Sequence, residues 1–163
     1  MKIREVQEND FPSISDICQY YVENTEATFE INPPTSDELL SRWQSHLQMP
    51  FIVASHEQNI IGFAYVGPYK QRQAYQFTVE DSVYVHPDYI GKAIGLTLLE
   101  QLLVECQQKG FKQVVARIAI WQGSEASIKL HEKLGFTNRG CLLNVGYKFG
   151  KFIDTVFMQK SLT

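Results

Sequence analysis

No stretch of the 163-residue sequence has the roughly 18 consecutive apolar residues of a membrane-spanning helix, so we expect no membrane segment. The opening residues, MKIREVQENDF, include acidic side chains where a secretory signal is apolar, so we do not expect export. Cysteine is scarce: Cys18, Cys106 and Cys141 are odd in number and widely spaced, which predicts no disulfide framework and suits a reducing cytosol. These absences together predict a cytoplasmic protein.

The sequence also lacks a cluster of basic residues. Its 15 Lys and Arg against 18 Asp and Glu give a net charge of −3, whereas nucleic-acid binding normally requires a basic patch. We therefore expect no nucleic-acid partner. The four histidines and three cysteines do not recur at the short intervals of zinc ligands, so no metal site is predicted.

The chain does contain the mixture of apolar and charged residues that is typical of a folded domain, with 44% hydrophobic and 20% charged residues. No internal repeat or linker divides it, so we expect residues 1–163 to form one domain. Hydrophobic periodicity and turn signals predict elements in the order β-α-α-β-β-β-α-β-α-β-β, which is an α/β domain with a mixed sheet.

The element bounds follow from local signals. A capping box at residues 35–38 predicts a helix that starts near Ser36 and carries Leu39, Leu40, Trp43 and Leu47 inward. The other predicted helices cover residues 10–21, 93–108 and 124–134. The predicted strands cover residues 2–6, 51–55, 60–66, 75–86, 113–120, 141–146 and 152–158.

The stretch VHPDYIGKAIG, residues 85–95, joins a predicted strand to the strongest predicted helix. Backbone N–H groups in the first turn of a helix have no intrahelical partner and attract anions. Gly91, Ala93 and Gly95 are small enough to let a ligand approach the backbone, and Lys92 adds a positive charge. The stretch therefore predicts a phosphate site, with a plain glycine-bounded turn as the alternative. Neither the P-loop motif nor G-x-G-x-x-G is present.

The preceding strand contains an anomaly. Alternation places Val79, Val83 and Val85 on one apolar face, and Asp81 interrupts that face. A Glu80-Asp81 pair in the middle of a strand is costly unless the strand bulges or faces a cavity. We predict a bulge beside a functional cleft, and the alternative is a solvated edge strand.

The strand TVEDSVYV (78–85) and the loop 90–95 resemble those of the GCN5-related N-acetyltransferases (GNAT), and within them the phosphinothricin and methionine sulfone or methionine sulfoximine acetyltransferase group. The resemblance runs almost from end to end. It includes Gly67-Pro68-Tyr69-Lys70, Arg72, Ala74-Tyr75, His86-Pro87, ASIKLHEKLGF (126–136), Gly146-Tyr147-Lys148 and Asp154. It implies a mixed sheet of about six to seven strands, flanked by helices and splayed between two central parallel strands.

The resemblance implies acetyl-CoA as cosubstrate, with its pantetheine arm between the strands 75–86 and 113–120 and its pyrophosphate on the N–H groups of residues 91–96. A backbone N–H near Val83 would stabilise the oxyanion. The implied cofactor-binding residues are Val83, Tyr84, Val85, Gly91, Lys92, Ala93, Ile94, Gly95, Leu96, Ser124 and Ser127. Three positions depart from the family pattern: Ile90 replaces a polar residue, Ala93 a glycine, and Ser124 an asparagine. We expect Ala93 to have a negative φ, which a helix N-terminus allows.

For catalysis, the resemblance implies Glu80 as general base, acting directly or through a water molecule. His131 is implied as the acid that protonates the leaving thiolate or as a second base, and a histidine that merely packs beside the coenzyme is the alternative. His86 is expected to shape its turn. The implied acceptor is an amino acid with an anionic or sulfone-like tail. The residues expected to bind it are Phe29, Lys70, Arg72, Tyr75 and Tyr147.

The sequence leaves rival functions open. The enzyme could acetylate a protein N-terminus or a polyamine, although a polyamine site would need more acids than residues 70–75 provide. The departures at Ile90 and Ala93 keep open a non-catalytic acetyl-CoA sensor, and a phosphate-binding structural domain is a further alternative. Homologues imply a homodimer. The sequence determines neither the physiological acceptor nor the kinetic order.

Overall fold

In the computed structural model, which describes all residues from 1 to 163, the chain folds as an α/β structure. The order of strands and helices is the predicted one. The strands are β1 (Lys2–Glu5), β2 (Phe51–His56), β3 (Asn59–Pro68), β4 (Thr78–Val85), β5 (Gln113–Ala119), β6 (Thr137–Lys148) and β7 (Lys151–Ser161). The helices are α1 (Phe11–Asn24), α2 (Ser36–Gln44), α3 (Ile94–Gln108) and α4 (Ser124–Lys133). No helix combines the length and the apolar character needed to cross a membrane.

All seven strands form one mixed sheet in the order β1-β2-β3-β4-β5-β7-β6. Only β4 and β5 are parallel neighbours, and they pair over three positions, which end at Glu80 opposite Val115. Both strands continue beyond that point, β4 to Val85 and β5 to Ala119, without pairing with each other. The sheet is therefore splayed at its centre, as the resemblance implied.

Helices cover both faces of the sheet. The apolar stripe of α3, which includes Leu98, Leu99 and Leu102, is fully buried against the inner residues of the central strands. On the opposite face, α1 buries Phe11 and Ile14 against β2 and β3. Burying a side chain of this size contributes about 1.5–3 kcal/mol, so these two layers hold the halves of the splayed sheet in place.

The predicted start of α2 is confirmed, and part of its predicted inner face is wrong. Thr35 is the N-cap residue, and its hydroxyl accepts a hydrogen bond from the Glu38 N–H at 3.1 Å. Leu39, Leu40 and Trp43 pack against the core as expected. Leu47 does not, because the helix ends at Gln44 and the following turn leaves this side chain 57% exposed.

The predicted bulge at Glu80-Asp81 is also wrong. The pairing of β3 with β4 runs without a shift from Gly62 opposite Val85 to Pro68 opposite Val79. The strand tolerates both carboxylates because alternation sends them to opposite faces of the sheet, where each has its own partner. The strand also begins later than predicted, at Thr78, after a 3-10 turn at Gln73–Tyr75.

Candidate active site

The splay between β4 and β5 opens into a crevice of about 590 Å³. Its walls are the unpaired end of β4, the loop that leads into α3, the end of β5, and one face of α4. The carbonyl of Phe77, which directly precedes β4, accepts hydrogen bonds from the N–H groups of Lys112 and Gln113 at the start of β5. Main-chain groups alternate in direction along a strand, so the odd-numbered residues of β4 direct theirs toward β5. The main chains of Val83 and Val85 therefore face the crevice rather than β3.

One of these main-chain groups is already engaged. The Tyr21 hydroxyl donates a hydrogen bond to the Val85 carbonyl at 2.5 Å. The Val85 N–H and both main-chain groups of Val83 have no strand partner on this side. This edge can accept an extended chain that carries amide groups, in the manner of an added strand.

The loop before α3 closes one end of the crevice. His86 shapes the turn at Pro87–Tyr89 as predicted, since its Nδ1 accepts a hydrogen bond from the Asp88 N–H at 3.1 Å. Ala93 is the N-cap residue of α3 and has φ of +61°. The expectation of a negative φ is wrong, because Ala93 precedes the first helical turn and takes the left-handed conformation in which the chain enters the helix. That conformation costs an alanine about 1–2 kcal/mol.

The start of α3 presents backbone N–H groups. Thr97 is the first residue of α3 whose N–H donates to a carbonyl one helical turn earlier, that of Ala93, at 3.2 Å. The amides of Ile94, Gly95 and Leu96 come before it, and all three residues line the crevice. A Cβ on Gly95 would lie 3.6 Å from Val85 and 3.8 Å from Leu130, so its absence leaves space between β4 and α4. This end of the crevice therefore fits an anionic group such as a pyrophosphate.

At the point of the splay, a buried ion pair joins β4 to α4. His131 Nε2 lies 2.8 Å from Asp81 Oδ2, and His131 Nδ1 lies 2.7 Å from the Ser127 carbonyl oxygen. A carbonyl only accepts hydrogen bonds, so Nδ1 must carry a proton. Burial alone would lower the pKa of His131, but the hydrogen bond to Asp81, its charge and the Ser127 carbonyl raise that pKa above its ordinary value. The imidazole therefore holds its second proton more readily than an ordinary histidine does.

Glu80 faces a second pocket of about 520 Å³ on the other side of the sheet. Its Oε1 lies 3.0 Å from Arg117 Nη2, and its side chain is 24% exposed. Burial is the main cause that raises the pKa of Glu80; Arg117 opposes it, and the charge of Asp81 adds to it. The net result is a carboxylate that holds a proton more readily than an ordinary glutamate does.

The crevice and this second pocket meet through the gap between β4 and β5. The residues that line both are Ala27, Asp81, Ser82, Tyr84, Arg117 and Ala119. A group that reaches the point of the splay from the crevice would thus meet a molecule held beside Glu80. This arrangement has the geometry required for transfer of a group between two ligands.

A profile of the acetyltransferase (GNAT) family matches residues 14–136. The chain belongs to the GNAT acetyltransferase family. The resemblance to this family stated from the sequence is thereby confirmed.

Two curated relatives match this GNAT chain over almost its full length. A phosphinothricin N-acetyltransferase of Alcaligenes faecalis is 40% identical over 98% of the chain and 82% of the relative. An L-methionine sulfoximine/L-methionine sulfone acetyltransferase of Salmonella typhimurium is 34% identical over 99% of the chain and 95% of the relative.

Solved structures give the same result. A GNAT phosphinothricin acetyltransferase of Sinorhizobium meliloti in complex with acetyl-CoA has a TM-score of 0.94 and 38% identity, over 99% of this chain and 88% of that one. A ribosomal-protein-alanine N-acetyltransferase of Brucella melitensis has a TM-score of 0.95 and 34% identity, over 99% of this chain and 100% of that one. The GNAT fold expected from the sequence is confirmed.

The structure brings most of the predicted cofactor-binding residues of the GNAT domain into the crevice. Those that line it are Val83, Tyr84, Val85, Gly91, Ala93, Ile94, Gly95, Leu96 and Ser127. Two lie elsewhere. The Lys92 ammonium lies 5.0 Å from the centre of the Tyr89 ring, and the buried Ser124 hydroxyl donates to the Trp121 carbonyl at 2.8 Å. Ser124 thus closes the turn before α4 instead of facing a ligand.

The predicted substrate-binding residues are more scattered. Phe29 lines the pocket of Glu80. Lys70, Arg72 and Tyr75 line a separate shallow hollow on the surface, beyond Tyr69. Tyr147 is 61% exposed and packs against Phe152. The loop 69–76 bends away through its 3-10 turn, so the structure does not bring these cations beside Glu80.

Sequence reasoning assigned no role to three residues that shape the acceptor side. Arg117 is the cation that contacts Glu80, and Thr155 lines the pocket with a buried Oγ1 that has no hydrogen-bond partner within the protein. Lys148 is buried and donates to the carbonyls of Thr25 and Thr28 at 2.8 Å each, which fixes the connection between α1 and α2. An alternating lysine in a late strand carries no local signal that could have identified this role.

Proposed function

We propose that the protein is an acetyl-CoA-dependent N-acetyltransferase that acetylates the amino group of a small amino acid analogue such as phosphinothricin, methionine sulfone or methionine sulfoximine. The observation that carries this proposal is the meeting of the crevice with the pocket of Glu80 at the point of the splay. The substrates named for the relatives at 40% and 34% identity support the choice of acceptor.

In this proposal the crevice holds the coenzyme. The amides at the start of α3 would hold the pyrophosphate, and the unpaired edge of β4 would bind the pantetheine amides. The Val83 N–H would stabilise the oxyanion that forms on the acetyl carbonyl. Acetyl-CoA supplies an activated acyl group as a thioester, and the chain supplies position and proton transfer.

Glu80 would take one proton from the acceptor ammonium, directly or through water, and its raised pKa makes it a better base than an ordinary glutamate. The amine nitrogen then bonds to the carbonyl carbon, and the carbon–sulfur bond breaks. The sulfur takes a proton from His131, and the second amine proton leaves for the solvent. Direct attack fits the crevice, because none of the three cysteines lines it as a covalent nucleophile.

The acceptor would lie among Phe29, Tyr69 and Thr155 in the pocket of Glu80. Arg117 lines this pocket and would bind its carboxylate or anionic tail, since a guanidinium suits planar oxyanions. Lys70 and Arg72 would act from the rim, where the Lys70 ammonium lies 5.5 Å from the Tyr69 ring. Tyr75 and Tyr147 would contribute to acceptor binding from outside the pocket of Glu80.

The test measures thiol release from acetyl-CoA with a panel of amino acids led by methionine sulfone, methionine sulfoximine and phosphinothricin. We expect these three to accelerate release, and Glu80→Gln to lower kcat by about 10²-fold or more, as removal of a general base does. The matched control is Glu125→Gln, because that side chain is exposed and pairs only with Lys129. If coenzyme binds and no amine accelerates release, the chain is a non-catalytic sensor and the proposal fails.

A second candidate is acetylation of a protein N-terminus. The solved structure of a ribosomal-protein-alanine N-acetyltransferase, similar over the whole chain, favours it. Peptides with N-terminal alanine belong in the same assay. Faster release with such peptides than with free amino acids would replace the small-molecule proposal with this one.

We also propose that residues 1–163 act as one cytoplasmic domain that forms a homodimer. Three unpaired cysteines are consistent with a reducing compartment. The exposed large apolar side chains of β6 and β7 support self-association, and they include Leu143 and Phe152, which are 70% and 67% exposed. Light scattering on the purified protein reports its mass in solution, and a monomer at assay concentration would contradict the homodimer.

A further inference from the structure

Asp81 has no role in the function proposed above, although it lies where the two pockets meet. Its side chain is 3% exposed and that of His131 is 5% exposed. The two residues are 50 positions apart in the sequence and come from β4 and α4. Phe136 covers the imidazole edge-on, with ring centres 4.8 Å apart. The pair is thus enclosed on one side and borders both the crevice and the acceptor pocket on the other.

We propose that Asp81 is a positioning residue for acyl transfer: it orients His131 and keeps on the Asp81–His131 pair the single proton that the departing sulfur takes. This inference rests on the proposed function. It concerns a residue that acts through His131.

The geometry leaves one proton to transfer. The Ser127 carbonyl fixes a proton on Nδ1, so exchange can occur only at Nε2, which faces the Asp81 carboxylate. Whether the shared proton lies on nitrogen or on oxygen, the pair holds one transferable proton and is neutral overall. Giving that proton to the sulfur leaves a carboxylate beside a neutral imidazole. The proton that Glu80 removes from the ammonium passes through the joined pockets and replaces the proton that the Asp81–His131 pair has given up. The number of protons therefore balances in each turnover.

Stability alone does not account for the pair. Taking two charged groups out of water costs free energy that their attraction only partly recovers, and apolar side chains of similar size serve a core equally well. The pair also interrupts the apolar layer formed by Val79 and its neighbours under α3. Its position at the junction of two ligand pockets gives it a chemical role instead.

Few other ionisable groups face the pair. Burial is the main cause that raises the pKa of the Cys106 thiol in α3 to about 12, and the negative charge of Asp81 adds to it. The thiol therefore stays neutral. Arg117 from β5 lines the same crevice and is engaged by Glu80. Tyr21 and Tyr89 also line the crevice. Burial has the largest single effect on the pKa of His131 and lowers it, and the hydrogen bond and charge of Asp81, with the Ser127 carbonyl, outweigh it.

The decisive variant is Asp81→Asn, which keeps the size and hydrogen-bonding capacity of the side chain but removes its charge. We expect kcat to fall by about 10²-fold, the lower end of a general-acid contribution, while KM for acetyl-CoA stays within about twofold. The alkaline limb of the kcat profile should move to lower pH, because an imidazolium without a carboxylate partner loses its proton more easily. Asp16→Asn, on the exposed side of α1, is the control with the same change of charge.

A merely structural Asp81 would change stability without moving the pH profile, and that result would overturn the inference. Should Asp81→Asn not fold, nitrogen-15 spectra of the wild-type imidazoles decide the matter, with His131 assigned from the variant His131→Gln. We expect the nitrogen-15 shifts of His131 to titrate at a higher pH than those of an ordinary histidine, because the pair retains its shared proton. A titration of His131 at or below the pH of an ordinary histidine would contradict the inference. Failure of the proposed function gives a different result, namely a wild-type protein that acetylates no acceptor.

Discussion

Two adjacent carboxylates, Glu80 and Asp81, have different chemical environments because a strand turns successive side chains to opposite faces. Glu80 meets Arg117 in a half-open pocket, whereas Asp81 meets His131 in a closed one. Burial raises the pKa of Glu80 despite Arg117, whereas at His131 the contacts with Asp81 outweigh burial. The first is suited to accept a proton at a raised pKa, and the second to keep a neighbouring imidazole charged.

Backbone conformation at a single residue gives a direct prediction. Ala93 has φ of +61°, where no side chain is favoured, so Ala93→Gly should stabilise the protein. The relieved strain of about 1–2 kcal/mol exceeds the roughly 0.4–1 kcal/mol that glycine loses through the freedom of the unfolded chain. We expect a net gain of about 0.5–1 kcal/mol in the free energy of unfolding, measured in urea.

The control for that prediction is Ala126→Gly in the ordinary helical conformation of α4. Without strain to relieve, this change should destabilise by about 0.5–1 kcal/mol. Equal effects of the two variants would show that the conformation of Ala93 carries no strain.

At the scale of elements, the acceptor pocket depends on a connection that has no regular structure. Residues between α1 and α2 form one wall of the pocket, and Lys148 of β6 fixes them through two carbonyls. Gly146 of the same strand permits the approach of Phe29, since a Cβ there would lie 2.5 Å from the phenyl ring. A strand at the far edge of the sheet thus determines the shape of the acceptor pocket.

Lys148→Met should therefore affect acceptor binding as well as stability. The change leaves two buried carbonyls without a charged donor, which we expect to cost about 2 kcal/mol of unfolding free energy and to raise KM for the acceptor more than KM for acetyl-CoA. Chemical denaturation and steady-state kinetics measure the two effects.

Lys151→Met is the matched control for this change. Its ammonium pairs with Glu26 at 2.7 Å, but its side chain is 59% exposed, so the loss should be about 1 kcal/mol or less. If both lysine variants raise KM for the acceptor alike, Lys148 does not have the role assigned to it.

For the whole molecule, the two ion pairs that contain the most deeply buried side chains are Asp81–His131 and Arg4–Asp10. They contribute to stability at opposite ends of the pH range. His131 has a raised pKa, so its contribution to stability is complete below the unfolded value of 6.5 and is lost as pH rises through the folded value. Burial opposes ionisation of Asp10, but its bonds with Arg4 and the Gln7 N–H lower its pKa. Its contribution is present above 3.8 and is lost as pH falls through the folded value.

Unfolding free energies across the pH range test this division. The difference between the wild type and Asp81→Asn should be largest below about pH 6.5 and should narrow as pH rises. The difference between the wild type and Arg4→Met should be largest at neutral pH and should narrow in acid. A difference for Asp81→Asn that does not change with pH would show that His131 is not held charged by this pair.

The sequence by itself determined the order of strands and helices, the cap at Thr35 and the family, because these depend on periodicity, local hydrogen bonding and ordered motifs along the chain. It also identified the loop that begins α3 and the mid-strand carboxylates as unusual. Only the tertiary structure decided that the splay implied by the resemblance begins after Glu80, that Asp81 pairs with His131, and that Ala93 is left-handed. The first two results depend on contacts between residues far apart in sequence, whose register and distance no local pattern records.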